Sequence, residues 1–163
     1  MSRKHYDLTE EGVLQLQEEL THLKDVKRPE NLKNLGEARA QGDLTENADY
    51  DAARSEQAKI ESRIKEIEII LKNVRIIVPT NDNTANIGKK VKLLFINQKV
   101  EREFVIIGTV EANPSAGKIS LDSPIGRAIR GHQVGDVVTV KSETGNIFNV
   151  KILEIGNIES NNK

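Results

Sequence analysis

The sequence predicts an α+β fold: an N-terminal antiparallel helical hairpin, then a small, mostly antiparallel β domain with one short helix. In residues 8–74 apolar side chains recur every three or four positions, which is typical of amphipathic helices. After residue 86 they fall into short runs separated by turn residues, which is typical of strands. A polar stretch with four Asn or Asp residues separates the two patterns. We therefore predict a coiled-coil domain at 1–78, a linker at 79–86 and a β domain at 87–163.

The first helical arm is predicted to begin just after Thr9, which is a suitable N-cap residue. Pro29 interrupts the arm, and a proline inside a helix costs about 3 kcal/mol. We therefore expect a kink or a helix restart there, with Pro29 near a first turn. The apolar stripe of this arm is predicted to consist of Val13, Leu16, Leu20, Leu23, Leu32 and Leu35.

The second arm has a cleaner pattern, in which steps of three and four alternate without a break. This is a heptad seam, and only Gln57 in it is polar. The short connection at 42–47 makes the two arms antiparallel neighbours, and about 30 residues per arm give a rod roughly 45 Å long. The predicted seam consists of Tyr50, Ala53, Gln57, Ile60, Ile64, Ile67, Leu71 and Val74.

The second half is predicted to form five strands and one short helix. A hairpin turn is expected at 143–146, and a helix is expected at 123–131 because a proline stands near its start and a glycine at its end. The strands are predicted at 91–96, 103–107, 118–121, 137–140 and 148–155.

The composition excludes several classes of site and function. The net charge is −1, so any contact with nucleic acid has to be local, and there is no cysteine for a disulfide or a thiolate metal site. The N-terminus has no apolar stretch that could act as a signal peptide, and no run is long enough for a membrane span, so we expect a cytoplasmic protein. The three histidines are scattered and no nucleophile arrangement or phosphate loop is visible. We expect no small-molecule substrate and no hydrolysis by the chain alone.

The predicted hairpin tip concentrates charge. Between Arg39 and Arg54 there is no other basic residue but there are four acids: Asp43, Glu46, Asp49 and Asp51. One interpretation is structural, because Asp43 or Thr45 could cap the second helix and acids near a helix N-terminus are stabilised by the helix dipole. The other is that Asp43 and Glu46 bind a divalent metal. Mg²⁺ needs six oxygens, so two carboxylates form a site that is weak or is completed by a partner.

Residues 38–50, ARAQGDLTENADY, resemble the tip motif of the bacterial Gre transcript-cleavage factors, in the form of the GreA branch. The segments KRP at 27–29, LDSPIGRA at 121–128 and GDVV at 135–138 fit the same family and occur in its order. The resemblance therefore covers nearly the whole chain. One departure is Asp49, where the family often has Glu.

The resemblance implies an FKBP-like C-terminal domain that docks on RNA polymerase through the loop at Asp122, Ser123 and Pro124. It implies that the coiled coil enters the polymerase secondary channel. There Asp43 and Glu46 would help to hold a second Mg²⁺ ion for cleavage of the nascent RNA 3′ end, and elongation could resume. Mg²⁺ is thus expected as a cofactor shared with the polymerase and held weakly by the free chain.

The resemblance also implies an RNA contact, and it leaves alternative functions open. Arg39 and Arg54 match the family's small basic patch, which meets the extruded RNA. The factor would be an accessory protein and not itself an enzyme. One alternative is a Gre-like inhibitor that occludes the channel, and another is a coiled-coil adaptor whose tip acids only cap a helix. A prolyl isomerase is disfavoured because the second half has three Phe residues and no Trp or Tyr for an aromatic pocket.

Overall fold

The computed structural model describes residues 4–42 and 47–158. Their contacts divide them into two compact units. The helical unit comprises residues 13–73, and the β unit comprises residues 4–12 together with residues 74–158. The sequence predicted a domain at 1–78 and a linker at 79–86. That these parts are separate folding domains remains a prediction.

The helical arms are built from three α-helices and one π-helical segment. The first arm changes from α- to π-helical pairing ahead of Pro29, and the backbone N–H of Arg28 donates to the carbonyl of Leu23, five residues back. Pro29 then lies in the first turn of the next helix, where its missing N–H is not needed. The predicted restart is thus confirmed. The elements are α1 (Glu10–His22), the π segment (Leu23–Lys27), α2 (Arg28–Ala40) and α3 (Ala48–Lys72).

The predicted apolar stripes are largely confirmed, with one error in each arm. Leu16 and Leu35 are buried as expected, but Leu32 is 55% exposed and Asn31, only 4% exposed, takes the inward position. Asn31 lies four residues before Leu35 and seven before Ala38, so these three share one face of α2, whereas Leu32 lies to one side of that face.

In α3 the predicted seam is off by one residue near its end, because Ile70 is buried and the predicted Leu71 is only partly so. The buried residues of α3 are Ala53, Ile60, Ile64, Ile67 and Ile70.

The β unit contains a five-stranded mixed sheet in the order β5-β4-β3-β7-β6. All neighbouring strands in it are antiparallel except the short pair β4 and β5. The predicted strands and short helix are present, and the α+β class with its helical hairpin is confirmed. The elements are β1 (Tyr6–Leu8), β2 (Val74–Ile76), β3 (Lys89–Phe95), β4 (Val100–Ile106), β5 (Lys118–Ile119), α4 (Pro124–Ile129), β6 (Val137–Lys141) and β7 (Ile147–Asn157).

The core of this unit lies between one face of the sheet and α4. Alternate residues of the strands point into it, and Ile129 of α4 closes it. Its buried members are Ala85, Val91, Leu93, Phe104, Ile106, Ile119, Ile129, Val138, Val140, Val150 and Ile152.

Two features of the β unit go beyond the sequence prediction. Strand β1 pairs in parallel with β2, so residues from both ends of the helical arms contribute to this unit. The polar stretch predicted as a linker also packs onto the unit, since Ala85 is fully buried and exchanges backbone hydrogen bonds with Gly131 and His132. The buried ammonium of Lys89 donates to the carbonyls of Thr80 and Asp82.

Among the residues described, none of the helices combines the length and the apolar character needed to cross a membrane.

Candidate functional site: the hairpin tip and the loop before α4

Helices α2 and α3 run antiparallel, and three side-chain contacts hold them in one register. Arg28 pairs with both carboxylate oxygens of Glu61 at 2.8 Å, and Asn31 Nδ2 donates to the carbonyl of Ala53 at 2.9 Å. Nearer the tip, Asn47 Nδ2 donates to the carbonyl of Ala38 at 2.8 Å. Along α2 these contacts proceed forward while along α3 they proceed backward, so the end of α2 lies beside the start of α3.

Asn47 fixes the junction between the two helices. Its Oδ1 accepts the backbone N–H of Tyr50 at 3.0 Å, which makes it the N-cap of α3, and its Nδ2 bonds the last turn of α2. On the other side, Gly42 follows α2 with φ +100°, a conformation that favours glycine and ends the helix. The two residues that flank segment 43–46 are therefore held by the helix ends.

The predicted metal ligands Asp43 and Glu46 lie outside the described residues. The structure does bear on the alternative in which Asp43 or Thr45 caps α3, because the N-cap position belongs to Asn47. That alternative was wrong about the capping residue. Capping of α3 therefore does not require either tip carboxylate.

The predicted RNA-contacting arginines flank the junction, and both are exposed. The guanidinium of Arg39 lies 5.9 Å from the ring centroid of Tyr50, so it packs across from α2 to α3. Arg54 donates to Gln57 one turn further along α3, at 2.9 Å. Each guanidinium keeps further N–H donors, and such donors suit phosphate oxygens.

The other two tip acids, Asp49 and Asp51, are exposed in the first turn of α3, where the helix dipole favours negative charge. Within residues 4–42 and 47–158 there is no group of three or more His, Cys, Asp or Glu side chains that could hold a metal ion.

The predicted docking loop at residues 122–124 begins α4. The hydroxyl of Ser123 accepts the N–H of Gly126 at 3.0 Å and donates to the carbonyl of Ser120 at 2.7 Å, so it is the N-cap of α4. Pro124 takes the first helical position and Asp122 is exposed beside it. Gly126 is required for this shape, because a Cβ there would lie 2.1 Å from the carbonyl oxygen of Ser120. The loop is thus a rigid turn with an exposed carboxylate.

His132 and Asp136 form a second ordered turn in the β unit. Asp136 accepts the N–H of Gln133 at 2.9 Å and lies 3.2 Å from His132 Nδ1. The backbone N–H of Gln133, followed by the histidine, lowers the pKa of the Asp136 carboxyl below its ordinary value. The pair closes an exposed turn.

Comparison with known families covers both units. Residues 6–76 match a family model described as "Transcription elongation factor, N-terminal", and residues 80–157 match one described as "Transcription elongation factor, GreA/GreB, C-term". The chain belongs to the GreA/GreB family of transcription elongation factors. The resemblance noted from the tip motif is thereby confirmed.

Individual members of the GreA/GreB family are similar over nearly their whole length. The "Transcription elongation factor GreA" of Acholeplasma laidlawii is 59% identical over 155 residues, which cover 94% of this chain and 98% of that protein. The protein of the same name from Mesoplasma florum is 47% identical, over 93% of this chain and 98% of its own. A solved structure, "Structure of the transcription factor Gfh1", aligns at 28% identity with a TM-score of 0.45, over 96% of this chain and 100% of that one.

Sequence reasoning about this GreA/GreB chain missed two asparagines. Asn47 was quoted as part of the tip motif without a role, although an Asn directly before a helix is a common cap and could have been identified. Asn31 was overlooked because the stripe was drawn through the two leucines of α2, although Asn31, Leu35 and Ala38 also follow helical spacing.

Proposed function

We propose that this chain binds RNA polymerase and stimulates the polymerase's own cleavage of the 3′ end of backtracked RNA. In this proposal the helical hairpin enters the secondary channel and carries Asp43 and Glu46 to the active site. The chain is an accessory factor and the polymerase is the nuclease, so the place of action is the cytoplasm. The observation that carries the proposal is membership of the GreA/GreB family together with the intact tip string at residues 38–50.

The proposed part played by the tip acids is to supply oxygen ligands to a second Mg²⁺ ion. Carboxylate oxygens are the donors that Mg²⁺ prefers, and two of them leave most of its six positions to other groups. When bound, a second metal ion stabilises the attacking and leaving oxygens in phosphodiester hydrolysis. The remaining ligands are proposed to come from the polymerase, from water and from the RNA.

Support for this assignment comes from the helix ends. Asn47 supplies the cap of α3 and the bond to Ala38, so Asp43 and Glu46 are not needed to start the helix. Gly42 and Asn47, which flank the four tip residues in the sequence, are both held by helix ends. A metal ligand has to be placed within a fraction of an ångström, and a short segment between two fixed helix ends suits that demand.

Arg39 and Arg54 are proposed to contact the phosphates of the RNA 3′ segment. Both are exposed within two turns of the tip, and the partners they have within the chain leave donors free. Contacts of this kind do not depend on RNA sequence and weaken as salt concentration rises.

The loop at residues 122–124 is proposed to contact the polymerase. The N-cap bond of Ser123 and the ring of Pro124 hold the turn, so the exposed carboxylate of Asp122 is presented with little conformational freedom to lose on binding.

The proposal is tested with backtracked elongation complexes in the presence of Mg²⁺. The wild-type chain should speed the release of short 3′ RNA fragments. An Asp43→Ala/Glu46→Ala variant should bind polymerase with unchanged affinity but release fragments at the rate seen without factor. The matched control is Asp49→Ala/Asp51→Ala, which removes the same charge from the same end of the hairpin and should keep most of the activity.

Cleavage at the wild-type rate by the Asp43→Ala/Glu46→Ala variant would contradict the metal role. Equal losses in both double variants would point to tip charge in general, and not to the two proposed ligands.

A further inference from the structure

The inward position of Asn31 is unexpected for a helix seam. Its side chain is 4% exposed and it lies in a row with Leu35 and Ala38, the two apolar residues of α2 that are buried. Next to it Leu32 is 55% exposed. Burying an amide while a neighbouring leucine faces solvent lowers stability unless the amide is hydrogen-bonded.

Helical spacing places Asn31 there. It lies four residues before Leu35 and seven before Ala38, so the three side chains share one face of α2. Leu32 lies to one side of that face.

The amide of Asn31 has a specific partner. Its Nδ2 donates at 2.9 Å to the carbonyl oxygen of Ala53, in the interior of α3. The methyl side chain of Ala53 lets α2 approach closely enough for this bond. One heptad further along α3 the inward residue is Ile60, whose branched side chain would cover the backbone.

Apart from the bond between Asn47 and Ala38 at the tip end, the other contacts between α2 and α3 specify the register only weakly. The apolar residues that meet are aliphatic and close to interchangeable, so a slide of one helix along the other changes the buried area little. The Arg28 and Glu61 side chains are 38% and 41% exposed, and such flexible surface pairs contribute about 0–1 kcal/mol and can exchange partners. A buried amide that finds no acceptor, by contrast, costs about 1–3 kcal/mol.

We propose that Asn31 is a positioning residue for transcript cleavage: its buried hydrogen bond to Ala53 fixes the register of α2 against α3 and thereby the place of the tip acids. The inference rests on the proposed function. A slide of one helical turn moves one helix end by 5.4 Å relative to the other. That movement would separate Asn47 from Ala38 and displace the tip acids by several ångströms. Mg²⁺ requires its ligand oxygens at 2.0–2.1 Å in near-octahedral geometry, so such a displacement would remove the tip acids from the site.

The activity test uses Asn31→Leu, with Asn34→Leu as the matched control. Asn34 is exposed on the same helix, so the chemical change is identical but no seam contact is lost. At saturating factor the cleavage rate of Asn31→Leu should fall about tenfold or more, while polymerase affinity stays within about twofold and the midpoint of thermal unfolding is unchanged or higher. If Asn31 served stability alone, Asn31→Leu would lower the midpoint of thermal unfolding.

The register itself can be measured because the chain has no cysteine to interfere with labelling. Spin labels at Gly36→Cys on α2 and Ser55→Cys on α3 occupy exposed helical positions, and a Cβ at Gly36 meets no atom within 4 Å. The labelled parent should give one narrow distance distribution. Adding Asn31→Leu should produce a second population at a different mean distance, shifted by up to about 5 Å for a slide of one turn, and adding Asn34→Leu should not.

Full cleavage by Asn31→Leu, or reduced cleavage with an unchanged distance distribution, overturns the proposal. Loss of helical signal in Asn31→Leu also counts against it, and Asn31→Ala then provides the second test with the same two readouts. Failure of the proposed function is distinguishable, because it shows as wild-type cleavage by the Asp43→Ala/Glu46→Ala variant and leaves the label distances unaffected.

Discussion

The two units of this elongation factor are each stabilised in a different way. The β unit surrounds a continuous apolar core, with residues such as Leu93 and Ile152 fully buried between the sheet and α4. In the helical unit each helix instead buries a single row of side chains, and α2 contributes only Leu35, Ala38 and the amide of Asn31. Burial of apolar side chains therefore specifies the β unit, whereas a few directed polar contacts specify how the helices of the other unit pair.

Ion pairs do not replace a core in the helical unit. Arg63 binds Glu19 through two hydrogen bonds and Lys24 pairs with Glu68, yet all four side chains are more than a third exposed. Pairs of this kind contribute about 0–1 kcal/mol each. In the helical unit, the side chains that stabilise the fold are therefore different from those that position the helices.

The largest effect is expected in the β unit. Leu93→Ala removes a fully buried side chain at the centre of β3, and the tightly packed neighbours can fill the cavity only in part. The free energy of unfolding should fall by about 3–5 kcal/mol. Chemical denaturation followed by circular dichroism measures it, and a loss below about 1 kcal/mol would show that the core is less tightly packed than described.

A smaller effect is expected in the helical unit. Leu35→Ala should cost about 2 kcal/mol, since the thin seam can partly collapse around the gap. Leu32→Ala, three residues earlier on the same helix, should cost less than about 0.5 kcal/mol because Leu32 is exposed. If the two losses were reversed, the assignment of the buried face of α2 would be wrong.

The next prediction concerns an anchor in the β unit. Glu111 accepts both the N–H and the hydroxyl of Thr9, at 2.7 and 2.6 Å, and a Cβ on Gly12 would lie 2.4 Å from the Glu111 carboxylate. Gly12→Ala should therefore destabilise the chain by about 1 kcal/mol, because the two bonds are lost or distorted.

In a Glu111→Ala background the sign should change. Gly12→Ala should then stabilise by about 0.5–1 kcal/mol, since alanine is the better helix former and the clash is gone. A double-mutant cycle measures the coupling, and strictly additive effects would rule out the contact.

The smallest effect is a dependence on pH. The guanidinium of Arg63 donates to Glu19 and holds the pKa of that carboxyl below its ordinary value of 4.5, and Arg28 acts in the same way on Glu61. Because the folded-state pKa is the lower one, the contribution is complete above about pH 4.5 and is lost as the pH falls through the folded-state value.

With solvent screening, the Glu19 pair should contribute only about 0.5–1 kcal/mol. Thermal unfolding of the wild type and of Glu19→Gln, compared between pH 6 and pH 3, measures it. Parallel curves for the two proteins would contradict the assignment.

The sequence predicted what depends on repetition. The seam of α3 and the strands of the β unit follow uninterrupted patterns, so burial of Ile60, Ile64 and Ile67 and the inward face of β3 could be anticipated. The N-cap role of Thr9 was likewise visible, and its hydroxyl accepts the N–H of Gly12.

What the sequence did not predict depends on single contacts. Strand β1 is three residues long and exists because it pairs with β2, which lies some seventy residues later in the chain. The burial of Asn31 in place of Leu32 depends on a single hydrogen bond from its amide to the carbonyl of Ala53, some twenty residues later in the chain. At the tip the motif indicated the proposed ligands, whereas the role of Asn47 became clear only from the ends of two helices brought together.

The measurement that tests the central claim most directly is transcript cleavage by Asp43→Asn/Glu46→Gln as a function of Mg²⁺ concentration. These changes keep the shape of both side chains and remove only the charge that binds a metal ion. The account predicts that cleavage falls by at least about 10–100-fold, the range seen when groups supporting a metal site are lost, while helix stability and polymerase affinity are unchanged. Cleavage at the wild-type rate across the Mg²⁺ range would contradict it.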